Sequence, residues 1–214
     1  MKITYLGHAC FCLEASNGVK VITDPYTRVG YELPSGLRAD AVTVSHGHFD
    51  HNYVAAVDTP NVISKSGDYT VNGVKISGFD CYHDEKQGAL RGKNIIFTFE
   101  MDGIKICHFG DLGEKYRTDI AEKVKEADVW LIPVGGTYTI DAIQAKEYVQ
   151  QCKPKAVIPM HYRPFDGALD IAEISSFLQL FKKEEIRDMG ADNLTLNKED
   201  LMESTRILYV QRKK

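Results

Sequence analysis

The sequence predicts a mixed α/β protein in which two β-sheets pack together with helices outside. Three observations predict it. Short β-branched and aromatic runs fill the first half of the chain. Strand-like and helix-period segments alternate through the second half. Asn72-Gly73 and Asp102-Gly103 sit between paired runs, where a two-residue hairpin turn needs positive φ.

In chain order, "KITYLG", "CFCLEA" and "VKVITD" alternate as strands, with the "SNG" at 16–18 as a turn between the last two. "ADAVTVS" is a buried strand, and "HNYVAAV" suits a short helix that starts near Asp50. Strands continue through "NVIS", "YTVNGVKISGFDCYH" and "NIIFTFEMDGIKICHFG". A helix is expected near 117–126, a strand at "DVWLIPV", and a helix over 141–151, where Asp141 followed by Gln144 reads as a capping box. The strand "KAVIPM" and a helix over 170–183 follow, and "NLTLN" and "TRILYVQ" return as strands. No linker, low-complexity tract or strong repeat interrupts 1–214, which reads as a single domain.

Twenty-six basic against thirty acidic residues leave a net charge of −4, which argues against a general nucleic-acid binder. The closing "QRKK" reads as a solvated tail. No apolar run approaches the ~20 residues of a membrane helix, and the start lacks a signal-peptide layout. Five cysteines, an odd number, point to reduced thiols in a cytoplasm. Cys10 and Cys12, at strand spacing, share a face and read as packing.

Seven histidines occur in the chain, and three of them fall in "SHGHFDHN" at 45–52. Neither a strand nor a helix gathers His46, His48, Asp50 and His51 on one face. They converge if a strand ends near Ser45 and the backbone turns through Gly47. Asp24 ends "VKVITD", His83 ends "ISGFDCYH", Asp111 follows "IKICHFG", and His161 follows "KAVIPM". Strands that run the same way to one rim bring all of these together, as at active sites of α/β proteins.

This pattern resembles the metallo-β-lactamase superfamily of metal-dependent hydrolases. The resemblance rests on Asp24, the run His46-x-His48-x-Asp50-His51, then His83, Asp111 and His161, in the family's order over 24–161. It implies the four-layer αββα sandwich of the metallo-β-lactamase fold, with the site on one edge. It also implies two divalent metal ions, zinc foremost, with manganese or iron as alternatives. His46, His48 and His83 would hold one ion, Asp50, His51 and His161 the other, and Asp111 would bridge them. Imidazole suits first-row metals and a bridging carboxylate offsets their charge. A hydroxide between the ions would be the nucleophile, and Asp24 would orient a ligand histidine by hydrogen bond. No organic cofactor is implied.

"GHA" and "HFGDLG" resemble a branch of small proteins akin to bacterial ascorbate-phosphate lactonase. His8 is expected near the site as a substrate contact or proton donor, not as a metal ligand. His108 is read either as support beside the site or as a buried strand residue. Tyr138 and Tyr162 are candidates for binding substrate or protonating a leaving group. The glycines of "GGTYTIDA" at 135–142 are either a tight turn or a cradle of free N–H groups for an anion, with a slight lean to the latter.

Departures from relatives narrow the expectation. The bridging position is Asp111 rather than cysteine, unlike the major class of zinc β-lactamase. "DEKQG" follows His83 where glyoxalase II-like relatives have "TPGHT", and no long insert follows Asp111 as in the RNA-processing nucleases. The favoured reading is a hydrolase of a small ester, lactone or phosphodiester, its substrate a small phosphorylated or lactone-like molecule. The alternatives are a nucleotide or nucleic-acid phosphodiesterase and a non-hydrolytic di-iron redox or sensor protein.

Overall fold

The computed structural model describes residues 1–202 and 204–213. The strands of the first half are β1 (Lys2–Gly7), β2 (Cys10–Glu14), β3 (Lys20–Thr23), β4 (Leu37–Arg38), β5 (Ala41–Thr43), β6 (Val57–Asp58), β7 (Val62–Ile63), β8 (Gly67–Val71), β9 (Val74–Tyr82) and β10 (Lys93–Met101). The second half adds β11 (Ile104–His108), β12 (Val129–Pro133), β13 (Ala156–Met160), β14 (Ile186–Asp188), β15 (Asn193–Thr195) and β16 (Arg206–Tyr209). The helices are α1 (Thr118–Val124), α2 (Ala142–Cys152) and α3 (Ser175–Leu178).

Two sheets carry the fold. A six-stranded sheet has the order β15-β1-β2-β3-β5-β7, and an eight-stranded sheet the order β14-β16-β13-β12-β11-β10-β9-β8. β2 is antiparallel to both β1 and β3, and β3 is parallel to β5, so β1, β3 and β5 end at one rim. In the other sheet β10 is antiparallel to β9 and β11, while β11, β12 and β13 run parallel, so these four also finish together. The candidate residues follow these strand ends.

Alternation along the strands of the six-stranded sheet explains the packing. Ile3, Tyr5, Phe11, Leu13 and Val21 join the large core between the sheets. Leu6, Cys10, Ile22 and Val42 face the other way, onto Tyr26, Val29, Ala39 and Val57. Cys12 packs with that second cluster as well, so it and Cys10 share a face. The outer cover of this sheet is therefore the irregular chain 25–39 with the paired strands β4 and β6. Helices cover the eight-stranded sheet. The crossovers from β11 to β12 and from β12 to β13 step the same way, so right-handedness puts α1 and α2 on one face. There Tyr148 of α2 packs on Phe109, which lies against Trp130.

Local chemistry accounts for the turns and caps. Asn72 and Gly73, and Asp102 and Gly103, all have positive φ, the geometry of type I′ hairpins. Asp141 caps α2 by accepting the N–H groups of Ile143 and Gln144, and Gln144 reaches back to the Asp141 N–H.

Two helical expectations fail. After the histidine run the chain makes a tight turn, with the His51 N–H donating to the His48 carbonyl, then a short 3-10 turn at Val54–Ala56. The Tyr53 N–H is taken by the Pro25 carbonyl and Val57 enters β6, so no α-helix starts at Asp50. The helix expected over 170–183 shrinks to α3. Ala172 instead bonds to the loops beside the site, donating its N–H to Gly135 and accepting from Arg163, which keeps residues 170–174 out of helix.

Candidate metal centre

Strand ends from both sheets deliver the candidate side chains to one point. His8 follows β1, Asp24 follows β3, and the His46–His51 run follows β5; His83, Asp111 and His161 follow β9, β11 and β13. Asp111 sits at the middle. Its Oδ2 lies 3.2 Å from His83 Nε2, 3.3 Å from His161 Nε2 and 3.8 Å from His46 Nε2. Its Oδ1 lies 3.1 Å from His51 Nε2. His46, His48 and His83 form one group whose ligand atoms lie within 4.8 Å of one another, and His8, Asp50, His51 and His161 form a second.

The backbone is bent to make this possible. His8, Asp24 and His161 all have positive φ, at 52°, 39° and 52°. Each costs roughly 1–3 kcal/mol for a residue with a Cβ, a strain that persists where surrounding contacts over-determine it. Gly110, with φ +52°, must be glycine: a Cβ there would meet Asn94 Oδ1 at 2.4 Å and Ser45 Cβ at 2.6 Å. That close approach lets Asn94 Oδ1 accept the Asp111 N–H at 2.9 Å.

Buried hydrogen bonds aim the imidazoles. Asp24 Oδ2 accepts from His51 Nδ1 at 2.8 Å, so His51 turns Nε2 towards Asp111. The same carboxylate takes the Ser45 N–H at 2.7 Å and the Ser45 hydroxyl at 2.5 Å. Ser45 Oγ also lies 3.0 Å from His46 Nδ1, which leaves His46 Nε2 facing inwards. His108 is fully buried and spans the two sheets. Its Nε2 donates to the Ala9 carbonyl at 2.8 Å, and its Nδ1 accepts the Gly110 N–H at 3.2 Å.

Electrostatics follow from this packing. Burial opposes the charge on Asp111, but His161 and His51 outweigh it and hold the carboxyl well below its ordinary range. Burial likewise opposes a charged His51, yet Asp111 and Asp24 raise it well above the usual imidazole value. Burial pushes His46 and His48 down, so both rings are neutral and free to bind metal near pH 7. His8 is pushed down to about 4 by burial and by His161, against the pull of Asp50. Its Nε2 lies 3.2 Å from Asp50 Oδ2, and its ring lies 4.2 Å from that of His161.

The donor set fits metal ions. Several buried polar atoms here have no hydrogen-bond partner: Nε2 of His46 and His51, both ring nitrogens of His161, Nδ1 of His83, and Oδ1 of Asp111. The close His51–Asp111 approach lacks hydrogen-bond alignment. Buried groups left so are costly unless something binds them, and imidazole with carboxylate is the ligand set of first-row divalent cations.

Three further sequence expectations are placed differently by the structure. Tyr162 is buried and turns its hydroxyl to the Val210 carbonyl at 3.4 Å, so it is a packing residue. Four N–H groups of the 135–142 loop are spent on backbone carbonyls: Gly136 donates to Ile140, Tyr138 and Thr139 to Gly136, and Ile140 to Leu112 outside the loop. Asp141 occupies the helix N-terminus, so the anion cradle gives way to a tight turn, and a Cβ on Gly135 would meet the His161 carbonyl at 2.1 Å. Arg212 of the tail is largely buried rather than solvated, with a side chain 15% exposed. Tyr138 is 38% exposed, its ring 5.6 Å from the Arg91 guanidinium, which donates to the Thr137 carbonyl.

Three supporting residues carry weak sequence signals. Ser45 directly precedes the histidine run, and Asn94 is a polar residue inside an apolar strand. Asp84, next to His83, accepts the N–H groups of Lys86, Gly88, Leu90 and Arg91 and so shapes the loop after β9. That loop carries Arg91 to Tyr138.

A two-sheet sandwich with such a cluster on one edge is the architecture of a class of metal-dependent hydrolases. The model of the beta-lactamase superfamily domain matches residues 2–161, and the chain belongs to the metallo-β-lactamase superfamily. It is 31% identical over 193 residues to a UPF0173 metal-dependent hydrolase of Thermoplasma acidophilum, covering 78% of this chain and 85% of that one. A UPF0173 metal-dependent hydrolase of Pelotomaculum thermopropionicum is 30% identical, over 87% and 96% of the two chains. Among solved structures, a protein of Thermotoga maritima assigned to the same superfamily as a zinc-dependent hydrolase is 39% identical. It superposes with a TM-score of 0.79 over 98% of this chain and 99% of its own. The chain has the metallo-β-lactamase fold and is a metal-dependent hydrolase. Among the described residues no helix is long and apolar enough to cross a membrane.

Proposed function

We propose that this chain is a dinuclear hydrolase that cleaves a small ester, lactone or phosphodiester. The observation that carries the reading is the meeting of two histidine groups on one buried carboxylate, Asp111, with the Nε2 atoms of His46, His51 and His161 left without a hydrogen-bond partner. His46, His48 and His83 would hold one ion and Asp50, His51 and His161 the other, with Asp111 between. Such ions supply polarisation of the substrate oxygen and a hydroxide nucleophile at neutral pH. Zinc is favoured by the imidazole-rich donor set and by the name of the Thermotoga relative.

The chain's own residues orient and position. Asp24 and Ser45 fix the rings of His51 and His46, and His8 Nε2–H donates to Asp50 and holds its carboxylate in place. Tyr138 stands at the exposed edge, where it contacts the substrate rather than the ions. The odd thiol count of the sequence favours a cytoplasmic setting.

Elemental analysis of protein purified without chelator or histidine tag tests the reading, followed by a panel of lactones, phosphodiesters and phosphomonoesters. About two zinc or manganese ions per chain are expected. Two irons, with no hydrolysis on the panel, would move the assignment to redox chemistry. His8→Ala and Tyr138→Phe are expected to keep both ions and to change turnover or KM. Loss of metal from His8→Ala would make His8 a ligand or a structural support of the centre.

A further inference from the structure

The chain closes on "QRKK", yet Arg212 folds back against the molecule. Its guanidinium lies 4.0 Å from the centre of the Tyr31 ring and pairs with Asp166. Gly7 makes this packing possible, because a Cβ there would come within 2.7–2.8 Å of Tyr31, Arg212 and Tyr26. Tyr31 is connected to the centre in one step: its hydroxyl accepts the His8 backbone N–H at 3.0 Å. The His8 carbonyl is held too, accepting from the Tyr5 hydroxyl at 3.1 Å and from the His161 N–H at 2.9 Å. This last bond joins the two sheets at the rim, between two residues that both have φ 52°.

We propose that Arg212 is a positioning residue for the metal centre, stacking on Tyr31 so that the Tyr31 hydroxyl holds the strained His8 turn against Asp50 and His161. The proposal rests on the metal-centre reading above. Arg212 joins three segments that flank His8 and His161: residues 26–31, residues 163–168 and the tail. The Ala168 N–H donates to the Val29 carbonyl, so the first two segments also touch directly. The tail is anchored on its other side, where the Gln211 N–H donates to Ala191 and Val210 accepts from the Tyr162 hydroxyl. The planar guanidinium suits this place because it stacks on a ring while pairing with a carboxylate at its edge, which an ammonium does not do.

Cobalt(II) titration of the full chain, with a competing chelator and visible spectra of the bound ion, tests the clamp. The variants are Arg212→Ala, Arg212→Lys, Tyr31→Phe and the double Arg212→Ala/Tyr31→Phe, each also followed by thermal melting. Arg212→Ala and Tyr31→Phe should each weaken cobalt binding about tenfold, the lower end for residues that support ligands, and alter its visible band. The double variant should be no weaker than the weaker single, since both changes cut the same chain of contacts. Arg212→Lys should resemble Arg212→Ala. A purely structural tail would lower the melting temperature and leave cobalt affinity and spectrum unchanged, which overturns the proposal, as would losses that multiply in the double variant. Tyr31→Phe keeps the ring and the fold, so the hydroxyl is tested even if Arg212→Ala fails to fold. Wild-type protein that takes up no cobalt would remove the metal-centre reading itself, and the clamp with it; normal wild-type binding with unaffected variants removes the clamp alone.

Discussion

Asp111→Ala is expected to leave about one metal ion per chain or none, and to abolish hydrolysis. Asp111 approaches members of both histidine groups: His46 and His83 in one, His161 and His51 in the other. Two dications held near one another repel, and the carboxylate is the anion between the two ligand groups. The loss should therefore exceed the about 10–100-fold typical of residues that only support ligands. Asp111→Asn separates charge from shape, since it keeps the side-chain volume and the backbone bond to Asn94. It should fail as Ala does. Metal content by elemental analysis, beside hydrolysis of whichever panel substrate is cleaved, decides the matter. A variant with two ions and full turnover would end the assignment of Asp111.

Asp24→Asn has the second largest expected effect, on both metal affinity and stability. Its carboxylate is wholly buried and holds Ser45 and His51. Affinity should fall about 10–100-fold because His51 loses the partner that aims Nε2. The metal-free protein should lose about 3–5 kcal/mol, the cost of breaking a buried ion pair.

The pH dependence has a definite sign. Burial works against the Asp24 charge, but His51 outweighs it and lowers the folded value, so the carboxylate's contribution is present above about 3.8 and is lost as pH falls through that lowered value. His51 is raised, so its contribution is complete below about 6.5 and is lost as pH rises through the raised value. The melting gap between wild type and Asp24→Asn should therefore be widest between about pH 4 and 6.5 and should narrow above neutrality. Metal must displace the His51 proton, so wild-type affinity should rise with pH across the neutral range. An equal gap at pH 5 and pH 9 would refute the pairing.

The strand ends were legible in the sequence because both signals are local. Short β-branched or apolar runs mark "VKVIT" and "KAVIPM" as strands, and the next residue is Asp24 in the first and His161 in the second. The convergence of His46, His48, Asp50 and His51 needed only a tight turn, although the helix expected after them does not form. The helix over 170–183 was misread for a non-local reason: Ala172 bonds to Gly135 and Arg163. Arg212 was misread as solvated because no local pattern shows that Gly7, far along the chain, leaves room for it.

By itself the sequence determined the kinds of donor at this centre, their order, and their places just beyond strands, since residue type and periodicity are properties of short stretches. Only the tertiary structure decided which partners aim those donors. Asp24 reaches Ser45 and His51 and Asn94 meets Asp111 through the pairing of neighbouring strands, and the Tyr31 hydroxyl meets His8 because the irregular chain 25–39 folds over the sheet. Hydrogen-bond direction, ring orientation and the strained turns at His8 and His161 follow from how two sheets meet at a rim, which no local stretch of sequence encodes.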